Sequence, residues 1–510
     1  MRKCKETADG RAYPDEVAKW GLFELRLEGP ASGNPFVEVE LVARFESEDR
    51  AFETRGFYDG EGRYAIRFMP DREGTWTFKT RSNRDGLDGQ GGSFSCVAAA
   101  AGNHGPVRVA QRFHFAYSDG TRYLPFGTTC YAWTHQGADL QEVTLRTLAS
   151  SPFNKIRMCV FPKYYDYNRD EPELFPFEGS LEKGWDYKRF VPAYFRNLEK
   201  RITELGHLGI EADLILFHPY DHWGFATMGP EADGLYLRYL IARLAAYRNV
   251  WWALANEYDL MKGKSIEDWE RLAGIVENDD PYGHLRSIHN CMGFYDHAKS
   301  WITHCSIQRQ DVYKTAEYTD EWRTKYGKPV VIDECAYEGD INWGWGNITA
   351  QELVRRCWEG YVRGGYVGHG ETFLDPNDVL WWSKGGRLRG ESPARIAFLR
   401  KIAGEGPSEG MTPISFGWSS WDLPCGGKEG EYYLFYFGFN RPRFRDFSLP
   451  ADGEFMCDII DTWNMIVSRL EDSYSGGFRI ELPGEQYIAL RLRRTTIPGP
   501  HSFPPSLSWA

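Results

Sequence analysis

The stretch Val-Trp-Trp-Ala-Leu-Ala-Asn-Glu-Tyr at residues 250–258 decides the fold, because it is an apolar run that ends abruptly in an amide and a carboxylate. Its length and apolar content are typical of a parallel strand that is covered on both faces. A second stretch, Lys-Pro-Val-Val-Ile-Asp-Glu-Cys-Ala-Tyr at residues 328–337, has the same design and carries Glu334 near its end. Together the two stretches predict a parallel sheet with polar groups where its strands leave the core.

Six further strand-like runs alternate with helical stretches and bring the set to eight. They are residues 123–129, 154–161, 210–218, 285–290, 303–308 and 365–371. The clearest helix precedes the third strand and has an apolar face made of Phe190, Tyr194, Leu198, Ile202 and Leu205. Residues 235–247 and 351–363 are also predicted to be helical. Eight strand–helix units with right-handed crossovers predict a (β/α)8 TIM barrel, which we place at residues 106–405.

The two flanks of the barrel are predicted to be all-β. Period-two alternation at residues 36–45, 64–69 and 75–80 indicates an N-terminal immunoglobulin-like β-sandwich over residues 1–105. Strand-like runs return at residues 431–438, 455–461 and 487–492 and indicate a C-terminal β-sandwich over residues 406–510. The Pro-rich stretch 497–505 is expected to pack as an irregular extension or to stay mobile. The predicted fold class is therefore multidomain α/β plus all-β.

Charge and composition exclude several classes of partner. The 510 residues include 60 basic and 72 acidic side chains without a basic run, which excludes nucleic acid. The first twenty residues lack the apolar core of a signal peptide, and no later run has the length of a bilayer span, so no membrane partner is expected. The ten cysteines form no CxxC pair, which predicts a reduced, cytoplasmic protein with no cofactor and no metal. Assembly into a homo-oligomer is compatible with the sequence.

The active site of a TIM barrel is built at the C-terminal tips of its strands. The polar residues at these predicted tips are, in chain order, Arg157, His218, Asn256, Glu257, His289, Asn290, Gln308, Glu334, His369 and Glu371. We expect this set to converge on one site.

Aromatic side chains offer flat faces on which sugar rings can stack. Trp133, Trp223, Trp343, Trp345, Trp381 and Trp382 are predicted to lie in loops just after strand tips, and Trp133 is the platform that we assign to the site. Trp251 and Trp252 lie within a strand and are expected in the core.

Two tip carboxylates on one sheet suit the cleavage of glycosides. Double displacement needs one carboxyl group that protonates the leaving oxygen and a second that attacks the anomeric carbon, about 5–5.5 Å away. The acid needs burial or a nearby negative charge, and the nucleophile needs cations or hydrogen-bond donors. Arg157, at the tip of the second strand, is the expected donor to the nucleophile.

Asn256 and Glu257 after an apolar fourth strand, with Glu334 at the tip of the seventh, resemble the retaining (β/α)8-barrel glycoside hydrolases of the cellulase-like clan, to which the family-five enzymes belong. The run Tyr-Leu-Pro-Phe-Gly-Thr-Thr at residues 123–129 and the tip His369-Gly-Glu371 further resemble a branch that includes apiosidase-like barrels. That branch commonly has a β-sandwich before the barrel and another after it. One departure is that the family-five pattern has a Trp at the eighth tip, where this chain has Glu371.

The resemblance implies a role for three residues. It makes Glu257 the acid/base, Glu334 the nucleophile and Asn256 the contact to the sugar 2-hydroxyl. It implies a retaining glycosidase for oligosaccharides or glycosides, and a cytoplasmic location favours exo-acting cleavage or short substrates in carbohydrate metabolism.

Other functions compete with this hypothesis. A metal-dependent barrel hydrolase could be built on His218, Asp221, His222, His289 and His304. A non-catalytic carbohydrate-binding barrel protein is a second alternative, and a lyase that uses a Tyr or His base on a uronate is a third. Each carboxylate also has a purely structural alternative, in which Glu257 begins a helix and Glu334 forms a salt bridge. Strand alternation should turn the side chain of Asp333 away from that of Glu334.

Overall fold

The computed structural model describes residues 4–6, 12–416 and 422–495, and the Pro-rich stretch 497–505 lies outside them. A parallel barrel occupies the middle of the chain, and all-β regions precede and follow it. The predicted fold class is thus confirmed, while the boundaries at residues 105 and 405 stay predictions. No helix in the described residues is long and apolar enough to cross a membrane.

All eight predicted barrel strands are present. They are Gly127–Thr129, Lys155–Cys159, Glu211–Phe217, Val250–Ala255, Arg286–Ser287, Cys305–Gln308, Val330–Glu334 and Tyr366–Val367. The first five form one parallel sheet and the last three form another. Parallel bridges between Thr128 and His369 and between His289 and Ser306 join the two sheets on both sides. The ring is therefore closed, and all eight tips point to one end.

Helices follow the strands as predicted, except between the fifth and sixth strands, where the described residues 288–304 form turns and loops and no helix. The described α-helices in and after the barrel are Ala138–Ala149, Pro192–His207, Pro230–Leu244, Ile266–Asp279, Thr319–Tyr326, Ala350–Val362, Trp381–Lys384 and Ser392–Gly404. The helix Pro192–His207 begins with proline, whose fixed φ suits the first helical position, and it buries Leu198, Ile202 and Leu205. Before it, Phe177–Ser180 and Gly184–Phe190 form a hairpin in the loop after the second strand, so Phe190 ends a strand and does not lie on the helix as predicted.

The N-terminal region is a sheet of nine strands. They are Cys4–Glu6, Ala12–Pro14, Glu16–Ala18, Phe23–Glu28, Leu41–Ser47, Arg50–Tyr58, Arg63–Phe68, Gly74–Ser82 and Gly91–Val97. The strand predicted at residues 36–45 begins only at Leu41, because Pro35–Glu38 forms a short helix that opens with proline. A three-stranded sheet, Val107–Ala110, His114–Tyr117 and Arg122–Tyr123, then packs Phe115 on Trp251 at the N-terminal end of the barrel.

The C-terminal region has two sheets with a shared core. Strands Thr412–Pro413, Cys425–Lys428, Tyr432–Tyr436, Phe455–Asp461, Ile466–Tyr474 and Ile488–Arg494 form the larger sheet. Strands Phe444–Ser448 and Gly477–Glu481 form the smaller sheet. Phe435 and Phe447 pack between the two sheets with their rings tilted and their centroids 5.0 Å apart. The nine cysteines whose side chains the structure describes are free.

Candidate active site

Glu257 lies just beyond the tip of the fourth strand in a strained backbone conformation. Its φ of 49° and ψ of 54° are left-handed, a region that a residue with a side chain enters at a cost of about 1–3 kcal/mol. The neighbouring strands hold this turn, since the N–H of Asn256 donates to the carbonyl of Phe217 at 2.9 Å and the N–H of Tyr258 donates to that of His289 at 2.9 Å. The strain aims the carboxylate over the end of the barrel.

Glu334 ends the seventh strand and is surrounded by donors. Arg157 Nη1 donates to Glu334 Oε1 at 2.9 Å, His289 Nε2 lies 3.2 Å from the same oxygen, and the Tyr131 hydroxyl donates a hydrogen bond to it. Burial alone would raise the pKa of Glu334, but the hydrogen bond and charge of His289, the charge of Arg157 and the hydrogen bond of Tyr131 lower it to about 2. Glu334 is therefore ionised at neutral pH.

Glu257 has the opposite environment, although it is just as buried, with 5% of its surface exposed. Its partner is the Tyr220 hydroxyl, which donates a hydrogen bond to Oε2. Burial and the negative charge of Glu334 raise the pKa of Glu257, against the smaller effects of Tyr220 and of the charges of Lys163 and His289. Two neighbouring carboxyl groups with opposite pKa shifts are the arrangement that an acid and a nucleophile need.

His289 connects Glu334 to a second carboxylate behind it. Ser306 Oγ donates to Asp333 Oδ2 at 2.6 Å, so it accepts from His289 Nδ1, which lies 3.0 Å away. Contacts at both ring nitrogens, to Glu334 and to Ser306, thus fix the orientation of His289. Asp333 points away from Glu334, as alternation predicts, and also binds Lys155 Nζ at 2.8 Å.

The structure brings five other predicted tip residues into one network around Glu334. Arg157 and His289 contact the carboxylate directly, and Asn256 Oδ1 lies 3.2 Å from the Tyr131 hydroxyl. Gln308 Oε1 lies 3.2 Å from His289 Nε2. Asn290 joins the network through Gln308. Its Nδ2 donates to the carbonyl of Gln308 at 3.1 Å and so holds the C-terminal end of the sixth strand.

Two other predicted site residues lie in the core. Trp133 begins a short 3-10 turn, Trp133–His135, that directs its ring inward, so it is fully buried with Nε1 3.4 Å from Met158 Sδ. This corrects the expectation that Trp133 is an exposed stacking platform. His218 is also buried, its Nε2 faces the carbonyl of Phe161 at 3.2 Å, and burial lowers its pKa to about 3.

His369 and Glu371 lie on the eighth-strand side, where Glu371 faces loop backbone and His369 faces the first strand. Glu371 accepts hydrogen bonds from the N–H groups of Arg389 at 2.6 Å and Gly390 at 2.9 Å. Burial, together with the negative charge of Glu338, raises the pKa of Glu371 to about 7 although these donors oppose the shift. His369 Nδ1 lies 2.9 Å from the hydroxyl of Thr128.

Within the described residues, Glu338, His369 and Glu371 are the one group of three whose ligand atoms lie close enough to hold a metal ion, within 4.8 Å of one another. Glu338 also accepts from the N–H of Glu391 at 2.8 Å and of Ser392 at 3.1 Å, at the start of the helix Ser392–Gly404. The carboxylates of Glu338 and Glu371 thus both already accept hydrogen bonds from backbone N–H groups. The five residues of the metal-hydrolase alternative form no such group in the described part of the chain.

Sequence reasoning missed several residues of the site. Tyr131 follows the first strand by two residues, and its place near a tip was a usable signal. Tyr220 and Lys163 lie in loops after the third and second strands, where no periodicity fixes the direction of a side chain. Ser306 lies inside the sixth strand, and only its pairing with Asp333 reveals its role.

Comparison with known proteins agrees with this geometry. The family model described as "Apiosidase-like, catalytic domain" matches residues 110–389. Residues 16–83 and 421–493 match families described as domains of unknown function, DUF5060 and DUF5605. No curated protein matches the chain.

Two solved structures from Bacteroides vulgatus ATCC 8482 are similar to the chain. One is a "putative glycoside hydrolase" with 39% sequence identity and a TM-score of 0.90, and the match covers 94% of this chain and 100% of that one. The other is a glycoside hydrolase family 5 protein with 14% identity and a TM-score of 0.58, over 76% of this chain and 93% of that one. The second likeness shows the fold alone.

Proposed function

Because the chain belongs to the apiosidase-like family of glycoside hydrolases, we propose that it cleaves glycosides with retention of configuration, Glu334 being the nucleophile and Glu257 the acid/base. The observation that carries this proposal is the opposite shift of the two pKa values. Glu334 is held ionised by Arg157, His289 and Tyr131, whereas Glu257 is held towards its protonated form by burial and by Glu334 itself.

In the first step, Glu257 protonates the leaving oxygen while Glu334 Oε attacks the anomeric carbon and forms a glycosyl ester. The ester no longer carries the negative charge that raises the pKa of Glu257. The pKa of Glu257 therefore falls, and its ionised form can take a proton from the water that attacks the ester in the second step. The coupling between the two carboxyl groups thus supplies the change of role from acid to base.

Asn256 fits the contact to the sugar 2-hydroxyl. Its Oδ1 faces the Tyr131 hydroxyl at 3.2 Å, which leaves the Nδ2 hydrogens for a ligand. The Tyr131 hydroxyl donates its hydrogen to Glu334, so one side chain lies against both the nucleophile and the 2-hydroxyl contact. A hydrogen bond to the 2-hydroxyl that strengthens in the transition state would add several kcal/mol.

The shape of the site favours short substrates or the ends of chains. Glu257 and Glu334 are each only 5% exposed. Three aromatic rings pack together near them, with the ring centroids of Tyr165 and Tyr220 4.6 Å apart and those of Tyr165 and Trp382 6.0 Å apart. A deep site with aromatic walls suits a terminal sugar better than the middle of a polymer. Cytoplasmic cleavage of imported fragments fits this proposal.

Exchange of each carboxyl group with chemical rescue tests the assignment. Glu334→Ala should lose about 10⁴-fold or more in kcat on an aryl glycoside that the wild type cleaves, and azide should restore turnover with a glycosyl azide of inverted configuration. Glu257→Ala should be rescued by azide with retained configuration. Glu371→Gln serves as the control because Glu371 faces backbone. Full activity in Glu334→Ala would refute the proposal.

A further inference from the structure

Lys163, in the loop after the second strand, is a buried cation that the proposed mechanism does not use. Its side chain is 3% exposed. Its Nζ lies 3.6 Å from the ring centroid of Tyr131, 4.4 Å from that of Trp382, 4.5 Å from that of Tyr220 and 5.5 Å from that of Tyr165. We call these four rings the aromatic cage. Cation–π attraction of this kind is worth more when the cation is shielded from water.

The ammonium of Lys163 has no acceptor of its own. Across the described ranges, Nζ makes no ion pair within 4.0 Å and no hydrogen bond. Lys155 is equally buried, yet its Nζ binds Asp213 at 2.5 Å and Asp333 at 2.8 Å. A buried ammonium normally has such partners, because unmet donors are costly away from water. The three N–H groups of Lys163 are therefore open to a ligand.

The cage places this ammonium beside both catalytic carboxyl groups. The Tyr131 hydroxyl is bonded to Glu334, and the Tyr220 hydroxyl is bonded to Glu257. Lys163 Nζ lies over both of these rings, and the charges of Glu334 and Glu257 both act on it, so the ammonium lies near both carboxyl groups. Burial lowers the pKa of Lys163 to about 8, so that the group is still mostly charged at neutral pH.

We propose that Lys163 is a substrate-binding residue whose ammonium donates hydrogen bonds to a hydroxyl oxygen of a neutral sugar held between Glu257 and Glu334. The inference rests on the proposed function and narrows its substrate class. The aromatic cage already stabilises the positive charge, and what the ammonium lacks is hydrogen-bond acceptors. A sugar carboxylate would supply them too, but it would be repelled by Glu334 and, after ionisation, by Glu257.

The test combines a lysine variant with altered substrates. Lys163→Met keeps the unbranched chain in the cage and removes the donors, while Lys163→Gln keeps a donor without the charge. Both are assayed on the 4-nitrophenyl glycoside that the wild type cleaves best and on its monodeoxy analogues. For one ring position, removal of the hydroxyl should cost the wild type about 10- to 100-fold in kcat/KM and should cost Lys163→Met no more than about twofold. Lys163→Gln should retain more activity than Lys163→Met.

Three outcomes overturn this inference. Equal losses of Lys163→Met on every analogue would show that Lys163 contacts no hydroxyl. Unchanged kcat/KM in Lys163→Met would show that it has no role. A wild-type preference for 4-nitrophenyl uronides, lost in Lys163→Met, would show that the ligand is an anionic sugar. If Lys163→Met fails to fold, judged by its thermal unfolding, the same comparison is made with Lys163→Gln. Failure of the proposed function is separate, because it would show as full activity in Glu334→Ala.

Discussion

Arg157 Nη1 and Glu334 Oε1 lie 2.9 Å apart and link the second barrel strand to the seventh. Both side chains are almost completely buried, and the arginine also donates to the Tyr131 hydroxyl at 3.0 Å. The carboxylate is thus held ionised by charge and by hydrogen bonds inside the core. The proposed chemistry depends on this environment.

Arg157→Met should shift the acidic limb of the pH–rate profile to higher pH. Loss of the guanidinium charge removes one of the effects that lower the pKa of Glu334, so the carboxylate takes up a proton at a higher pH. The optimum kcat/KM should also fall about 10²- to 10³-fold because a preorganised donor is lost. An acidic limb at the wild-type position would contradict this role.

Tyr220→Phe and Tyr131→Phe form a matched pair of variants that should shift opposite limbs of the pH–rate profile. The Tyr220 hydrogen bond lowers the pKa of Glu257, so its loss should raise that pKa further and extend the alkaline limb to higher pH. The Tyr131 hydrogen bond lowers the pKa of Glu334, so its loss should move the acidic limb to higher pH. Profiles of kcat/KM measured from pH 3 to 10 would decide this, and the same limb moving in both variants would argue against the assignment.

Ser306→Ala should reduce kcat about tenfold with little change in KM. The hydroxyl joins His289 to Asp333, with contacts of 3.0 and 2.6 Å, and the variant leaves His289 Nδ1 without its partner. The imidazole then loses its fixed orientation toward Glu334, while no substrate contact is removed. Ser287→Ala, in the neighbouring fifth strand, is the control because Ser287 Oγ makes no hydrogen bond to another described residue. Equal effects of the two substitutions would point to packing alone.

Glu371→Gln should change the pH dependence of stability more than the chemistry. The folded protein holds a proton on Glu371 up to about pH 7, whereas the unfolded chain releases it near pH 4.5. The folded state therefore binds more protons between these values, and the free energy of unfolding should fall by up to about 3 kcal/mol as pH rises through this range. The amide variant should lack this component, as measured by urea unfolding at pH 4.5, 6 and 8. A pH dependence like that of the wild type would show that Glu371 is ionised throughout.

The barrel strands were predictable because a strand that is buried on both faces appears in the sequence as a continuous apolar run between polar loops. Even the fifth and eighth strands, which are only Arg286–Ser287 and Tyr366–Val367, were located from such runs. The segment at residues 36–45 was predicted incorrectly in its first half, since alternation there is shared by the helical turn Pro35–Glu38. Local pattern cannot separate a short helix from the start of a strand.

The candidate site was predictable where residues end strands and unpredictable where they belong to loops. The strand fixes the direction of Glu334 and Arg157, and their contact follows from the barrel. Trp133 was misplaced because a single 3-10 turn redirects its ring into the core. Tyr220 and Lys163 were missed because long loops set their positions through contacts between distant parts of the chain.

Trapping of the glycosyl–enzyme ester tests the central claim most directly. The wild type is incubated with a 2-deoxy-2-fluoro glycoside that carries a dinitrophenyl leaving group, then digested, and the labelled peptide is sequenced by mass spectrometry. The account predicts one fluorosugar per chain, attached to Glu334, and no label in Glu334→Gln. A label on Glu257, or a substrate that is turned over by the wild type with inversion and without any trapped ester, would contradict it.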